Sequence, residues 1–137
     1  GEMGAIAVAA VRPLIEIMDD DTEESVRWEA AKALGRMGPA AREAVPALAA
    51  ALAEGDEVLR DAAATALGQM GPAAQNAVPA LIRSLRSSVE GEPDAALETL
   101  VKLGRSSVPA LIEALNEDDP IIRSRAAAAL TRVASAS

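Results

Sequence analysis

The chain has 137 residues, enough for one domain, and carries 21 Asp and Glu against 13 Lys and Arg, a formal net charge of −8. That balance disfavours nucleic acid, whose binders show a basic footprint. The absence of His and Cys removes disulfides, thiolate or imidazole metal ligation and His-based acid–base catalysis. Trp28 is the only aromatic residue. A composition rich in Ala, Leu, Glu and Arg favours packed helices over sheets, and no apolar run approaches the ~20 residues of a membrane span.

In chain order, the start GEMGAIAVAAV is apolar but lacks the basic region and cleavage site of a signal peptide. From Val11 a phrase recurs. Copy one (11–44) reads VRPLIEIM (Val11–Met18), then VRWEAAKALGRMG (Val26–Gly38). Copy two (45–77) reads VPALAAAL (Val45–Leu52), then LRDAAATALGQMG (Leu59–Gly71). Copy three (78–107) reads VPALIRSL (Val78–Leu85), then EPDAALETLVKLG (Glu92–Gly104). Copy four (108–137) reads VPALIEAL (Val108–Leu115), then IRSRAAAALTRVA (Ile122–Ala134). Gly1 to Gly4 match Gly35 to Gly38, so residues 1–10 are expected to be the tail of a preceding partial repeat. Both an excised piece of a longer array and a short protein with a degenerate first unit fit that start.

Each copy predicts two helices. In the first, apolar residues at Val45, Leu48 and Leu52 keep helical spacing, and in copies two to four the Pro after Val suits the first turn. In the second, Leu59, Ala63, Leu67 and Met70 form the expected buried stripe. Gly then ends the helix, and Pro39 or Pro72 prevents continuation. A lone hairpin cannot bury such a stripe; stacked copies can.

The pattern AVPALxxxL, acidic loop, VRxxAAxALGxxG resembles the short HEAT-like repeat of the phycobilisome-lyase type. Copy two matches nearly throughout, copy four has Thr131 in place of the Gly, and copy three has Pro93 in place of the Arg. The resemblance implies an all-α fold: a right-handed αα-superhelix of about four helical hairpins plus the partial N-terminal repeat, in a single domain 1–137. It also implies an Asp–Arg ladder tying adjacent repeats, here Arg27, Arg60 and Arg123 with Asp56 and Asp119. Pro93 would interrupt that ladder and loosen or bend the stack.

Twelve of the 21 acids fall in the four internal loops, so the loops form one acidic edge. Solvated loops feeding helix N-termini account for this; an acidic docking edge for a basic partner is the alternative. The stretch DDDTEE at Asp19 to Glu24 lacks the spaced ligands of a calcium loop, and no metal or cofactor is expected.

In HEAT-like stacks the second helices line the concave side. The candidate binding residues there are Trp28, Glu29, Lys32, Arg36, Asp61, Thr65, Gln69, Glu98, Lys102, Arg125 and Arg132. Trp28 stands where other copies have Asp61, Asp94 and Ser124, as a binding anchor would. Packing against the longer loop of copy one is the alternative. Arg36, Lys102 and Arg132 share one position and suggest a basic stripe.

The leading expectation is a non-catalytic scaffold that binds another protein through the concave face. The resemblance also implies a lesser alternative, a bilin-lyase-type subunit with Arg36, Lys102 and Arg132 holding propionates; a fragment without activity of its own is a further one. Di-iron hydroxylases built on HEAT repeats need His ligands, which are absent, and the acidic balance disfavours the HEAT-like DNA glycosylases. Neither end shows an obvious polar cap, so weak self-association is expected. The cytoplasm is the favoured compartment, although the absence of Cys does not fix one.

Overall fold

A computed structural model describes residues 2–20, 23–54, 56–87 and 94–136. Among them are the helices α1 (Glu2–Asp20), α2 (Glu24–Met37), α3 (Val45–Glu54), α4 (Glu57–Met70), α5 (Val78–Ser84), α6 (Ala95–Leu103), α7 (Val108–Ala114) and α8 (Pro120–Ala136). No strand occurs among the described residues. Consecutive helices pair as hairpins, and the hairpins stack in two layers. Helices α1, α3, α5 and α7 contact one another in one layer; α2, α4, α6 and α8 do so in the other. The fold is the all-α stack of helical repeats expected from the sequence.

Local chemistry sets the joints. Helices α2, α4 and α6 each run into a glycine at positive φ: Gly38 at 64°, Gly71 at 63° and Gly104 at 57°. Side chains rarely tolerate that conformation. The N–H groups of Gly38 and Gly71 return to the carbonyls of Gly35 and Gly68, satisfying groups that a helix end leaves open. Tight 3₁₀ segments follow at Gly38–Ala44, Gly71–Ala77 and Gly104–Ser107. The last is shorter because three residues are missing there. Ser107, fully buried, adapts to the short turn by donating its hydroxyl to the carbonyls of Leu100 and Gly104, each at 2.8 Å.

The predicted stripe of Leu59, Ala63, Leu67 and Met70 is buried, as are Val45, Leu48 and Leu52. With so many alanines in the core, the second helices approach closely. Gly35 of α2 lies against the backbone of Ala66 in α4. One repeat later, Gly68 meets Thr99 of α6. Buried Thr99 donates its hydroxyl to the Ala64 carbonyl at 2.8 Å, so its polarity is satisfied across the helix pair.

Two junctions differ in form from the rest. Residues 2–20 form one helix, α1, which runs unbroken from the expected partial repeat through Val11 to Asp20. Ala5 stands where Pro39 and Pro72 interrupt the later copies, and the residues that follow it, Ile6 to Ala10, include no glycine or proline to stop a helix. Second, α6 begins only at Ala95, capped by Asp94, roughly a turn later than α2 and α4 begin in the repeat register. Pro93, expected to break the ladder and bend the stack, lies outside the described residues.

Candidate functional site

The loop edge holds the expected ladder residues, in different partnerships. Asp56 Oδ1 accepts the Leu59 N–H at 2.7 Å and so caps α4. It also accepts the Trp28 indole N–H at 3.3 Å. Asp119 accepts the Ile121 N–H at 2.8 Å at the start of α8. Arg27 donates to the Met18 carbonyl at 2.6 Å, and Arg123 donates to the carbonyls of Glu117 and Asp118 at 2.7 and 3.0 Å. These arginines bind the chain leaving the first helix of their own hairpin, in place of an Asp of the adjacent repeat. The physical reason is competition. The Asp oxygens are taken by the open N–H groups of a helix start, while the carbonyls ending the first helix need donors. Among the described residues no ion pair joins Arg27, Arg60 or Arg123 to a carboxylate. Part of the ladder persists through space. The Leu59 N–H chiefly, then the Trp28 indole, the Glu24 side chain and last the more distant Arg27, hold the Asp56 carboxyl below its ordinary 3.8.

Trp28 is therefore not a free anchor. It is half-buried, packs against the core and ties copy one to the loop of copy two. The basic stripe is also redistributed. Arg132 forms a two-pronged pair with Glu98, at 2.6 and 2.9 Å, which keeps the Glu98 carboxyl below its ordinary value. The Lys102 stem lies over Gly68. Arg36 remains exposed beside an apolar groove of about 500 Å³ formed with Ile6, Ala7 and Ala33. Glu29 and Lys32 pair within α2 at 3.6 Å, both largely exposed. Gln69 lies against Gly35. Arg125 is half-buried on α8.

Four of the candidate residues do converge. Asp61 and Thr65 of α4 and Glu98 and Lys102 of α6 line one open groove of about 570 Å³, floored by Gly68 and Thr99. The groove reaches Asp94, the cap of α6. Burial, then the neighbouring Glu57 and Asp94, raise the Asp61 carboxyl above its ordinary value, with Arg60 offsetting part of this. The acid thus sits where its charge is disfavoured. Sequence reading missed Thr99 as a site residue. A signal existed for Thr99, which stands in a column otherwise occupied by Ala33, Ala66 and Ala129.

Among the described residues no group of His, Cys, Asp or Glu gathers to hold a metal ion, and no helix is long and apolar enough to cross a membrane. No curated protein matches the chain. The family described as HEAT repeats matches residues 11–101, over half of the chain and the stretch that builds the first three hairpins. Such repeats generally mediate protein–protein interaction. Matched residues and stacked hairpins agree: the chain belongs to the HEAT-repeat family.

Proposed function

We propose that this chain is a non-catalytic scaffold that receives a partner protein on the outer face of its second helices, centred on the groove between α4 and α6. The observation supporting this is the convergence of Asp61, Thr65, Glu98 and Lys102 on one groove, at positions that do not build the core. Asp61 gives the groove its chemistry. An exposed carboxylate flanked by Glu57 and Asp94 is relieved by a cation, so the partner presents a basic side chain there and apolar atoms to Ala95 and Val101. The absence of His and Cys supports the non-catalytic reading.

The test compares partner capture by the wild-type chain, a groove variant (Asp61→Arg with Lys102→Glu) and a control altered on the other layer (Arg12→Glu), each first shown to be folded by circular dichroism. A partner held by wild type and control and lost by the groove variant supports the reading. Equal capture by all three overturns it.

A further inference from the structure

Where the two layers meet, a cavity of about 320 Å³ lies between α3, the start of α4, α5 and the 3₁₀ segment Leu85–Ser87. Three arginines line it, Arg60, Arg83 and Arg86, together with Ser84 and Ser87; the remaining wall is Leu52 and alanine. No carboxylate is among the described lining residues. In a chain of net charge −8, three guanidinium groups on one cavity without an acid run against the overall composition.

Arg60 sharpens the contrast. Its repeat equivalents Arg27 and Arg123 donate to backbone carbonyls. The Arg60 Nε is shut off from solvent and has no hydrogen-bond partner. A buried donor of a charged group left unpaired is costly and calls for an acceptor. The side chains of Arg83 and Arg86 form no hydrogen bond or ion pair either among the described residues. Cations in the last turn of a helix suit its dipole, which accounts for the sign of Arg83 and Arg86. It does not account for Arg60, which opens a helix. The repeat columns point the same way. Arg83 replaces Glu16, Ala50 and Glu113, and Ser87 replaces Asp20, Glu54 and Glu117. Copy three alone trades its acidic exit for Arg-Ser-Leu-Arg-Ser.

We propose that this cavity binds a phosphoryl oxyanion. Guanidinium forks match the oxygens of phosphate in two-pronged geometry, and the two serine hydroxyls add donors for the remaining oxygen. Three positive groups are better balanced by a dianion than by a single carboxylate. The site shares no lining residue with the α4–α6 groove, so neither reading depends on the other. The phosphoryl group is either free phosphate or a phosphoserine of a peptide.

The probe is inorganic phosphate, followed by phosphorus NMR line broadening and by the shift in unfolding temperature, against chloride at matched ionic strength. A phosphoserine tripeptide and its unphosphorylated form are run in parallel. Wild type is expected to bind phosphate saturably, and Arg83→Ala or Arg86→Ala to weaken binding at least tenfold while remaining folded, since both side chains are exposed. Arg60→Gln is expected to lose binding as well. Binding of the phosphotripeptide beyond that of phosphate identifies a modified peptide as the source; binding of phosphate alone identifies the free ion; either supports the site. Wild-type broadening and stabilisation no greater than in chloride would overturn it, as would unchanged affinity in Arg83→Ala and Arg86→Ala. Phosphate binding confined to a Glu90→Gln, Glu92→Gln variant would also overturn it, because the chain's own acids would then be the ligand.

Discussion

Gly35 and Gly68 hold the same repeat position in α2 and α4, yet alanine at the two should act with opposite sign. A methyl group on Gly35 would stand 2.7 Å from Ala66 Cα and 2.9 Å from Ala66 Cβ, and would also meet the Gln69 side-chain amide. Gln69 is exposed and free to turn aside; the α4 backbone is not. On Gly68 the nearest atoms, Lys102 Cδ and Thr99 Cγ2, lie at 3.4 Å, an ordinary contact. Replacing a helix-interior glycine by alanine gains about 0.8–1 kcal/mol of propensity, and overpacking a tight contact costs about 1–3 kcal/mol. Gly68→Ala should therefore stabilise by up to about 1 kcal/mol. Gly35→Ala should destabilise by about 1 kcal/mol, and by about 2 at most, once the overpacking is set against the same gain. Urea unfolding followed by helical circular dichroism reads both, with an unchanged slope showing that the folded and unfolded states are comparable. Adding Gln69→Ala to Gly35→Ala should leave most of the loss, because the clash is with backbone. The reasoning is refuted if Gly35→Ala is as stable as wild type, or if the two variants differ by less than about 0.5 kcal/mol, below the overpacking range.

Trp28 reports on Asp56. The Asp56 carboxyl titrates below its ordinary 3.8, so its contribution to stability is fully present above that value and is lost as pH falls through the lowered one. Trp28 emission should hold steady down to about pH 4 and change only below it; Asp56→Asn should abolish this step, and a midpoint above the ordinary 3.8 would contradict the reading. Asp61 has the opposite sign. Its raised carboxyl costs stability when ionised, so Asp61→Asn should raise the unfolding temperature at pH 7, with the gap closing as pH falls through the raised value; a lower unfolding temperature at pH 7 counts against it. Finally, Ile112 is 52% exposed and Leu115 39%, whereas their repeat equivalents Ile82 and Leu85 are 7% and 0%. Sedimentation velocity should show concentration-dependent association that Ile112→Lys with Leu115→Lys removes, and a constant monomer in wild type would refute it.

Much of the architecture was legible because it rests on local chemistry. Gly38, Gly71 and Gly104 end helices through a backbone conformation that glycine favours, and the Leu59, Ala63, Leu67 and Met70 spacing marks one helical face wherever it occurs. The candidate groove was half legible: Asp61, Thr65, Glu98 and Lys102 were identified individually, but nothing in their spacing showed that these four, and not Arg36, Arg125 or Trp28, share one surface. Arg83 and Arg86 were overlooked because they sit in the helix layer that the repeat pattern assigns to scaffold.

By itself the sequence determined the number of hairpins, the helix stops and the stripe each copy buries, since all three follow from residues within one helical turn or one turn motif. The tertiary structure decided how equivalent residues are used. Arg27 and Arg123 bind backbone while Arg60 lines a cavity with an unpartnered nitrogen. Trp28 joins a seam, and Gly35 is crowded where Gly68 is not. A side chain's partners in a stack come from the next repeat, about thirty residues away, and the repeats differ there by single residues. Each column therefore repeats a position while its surroundings, and with them the chemistry, change from copy to copy.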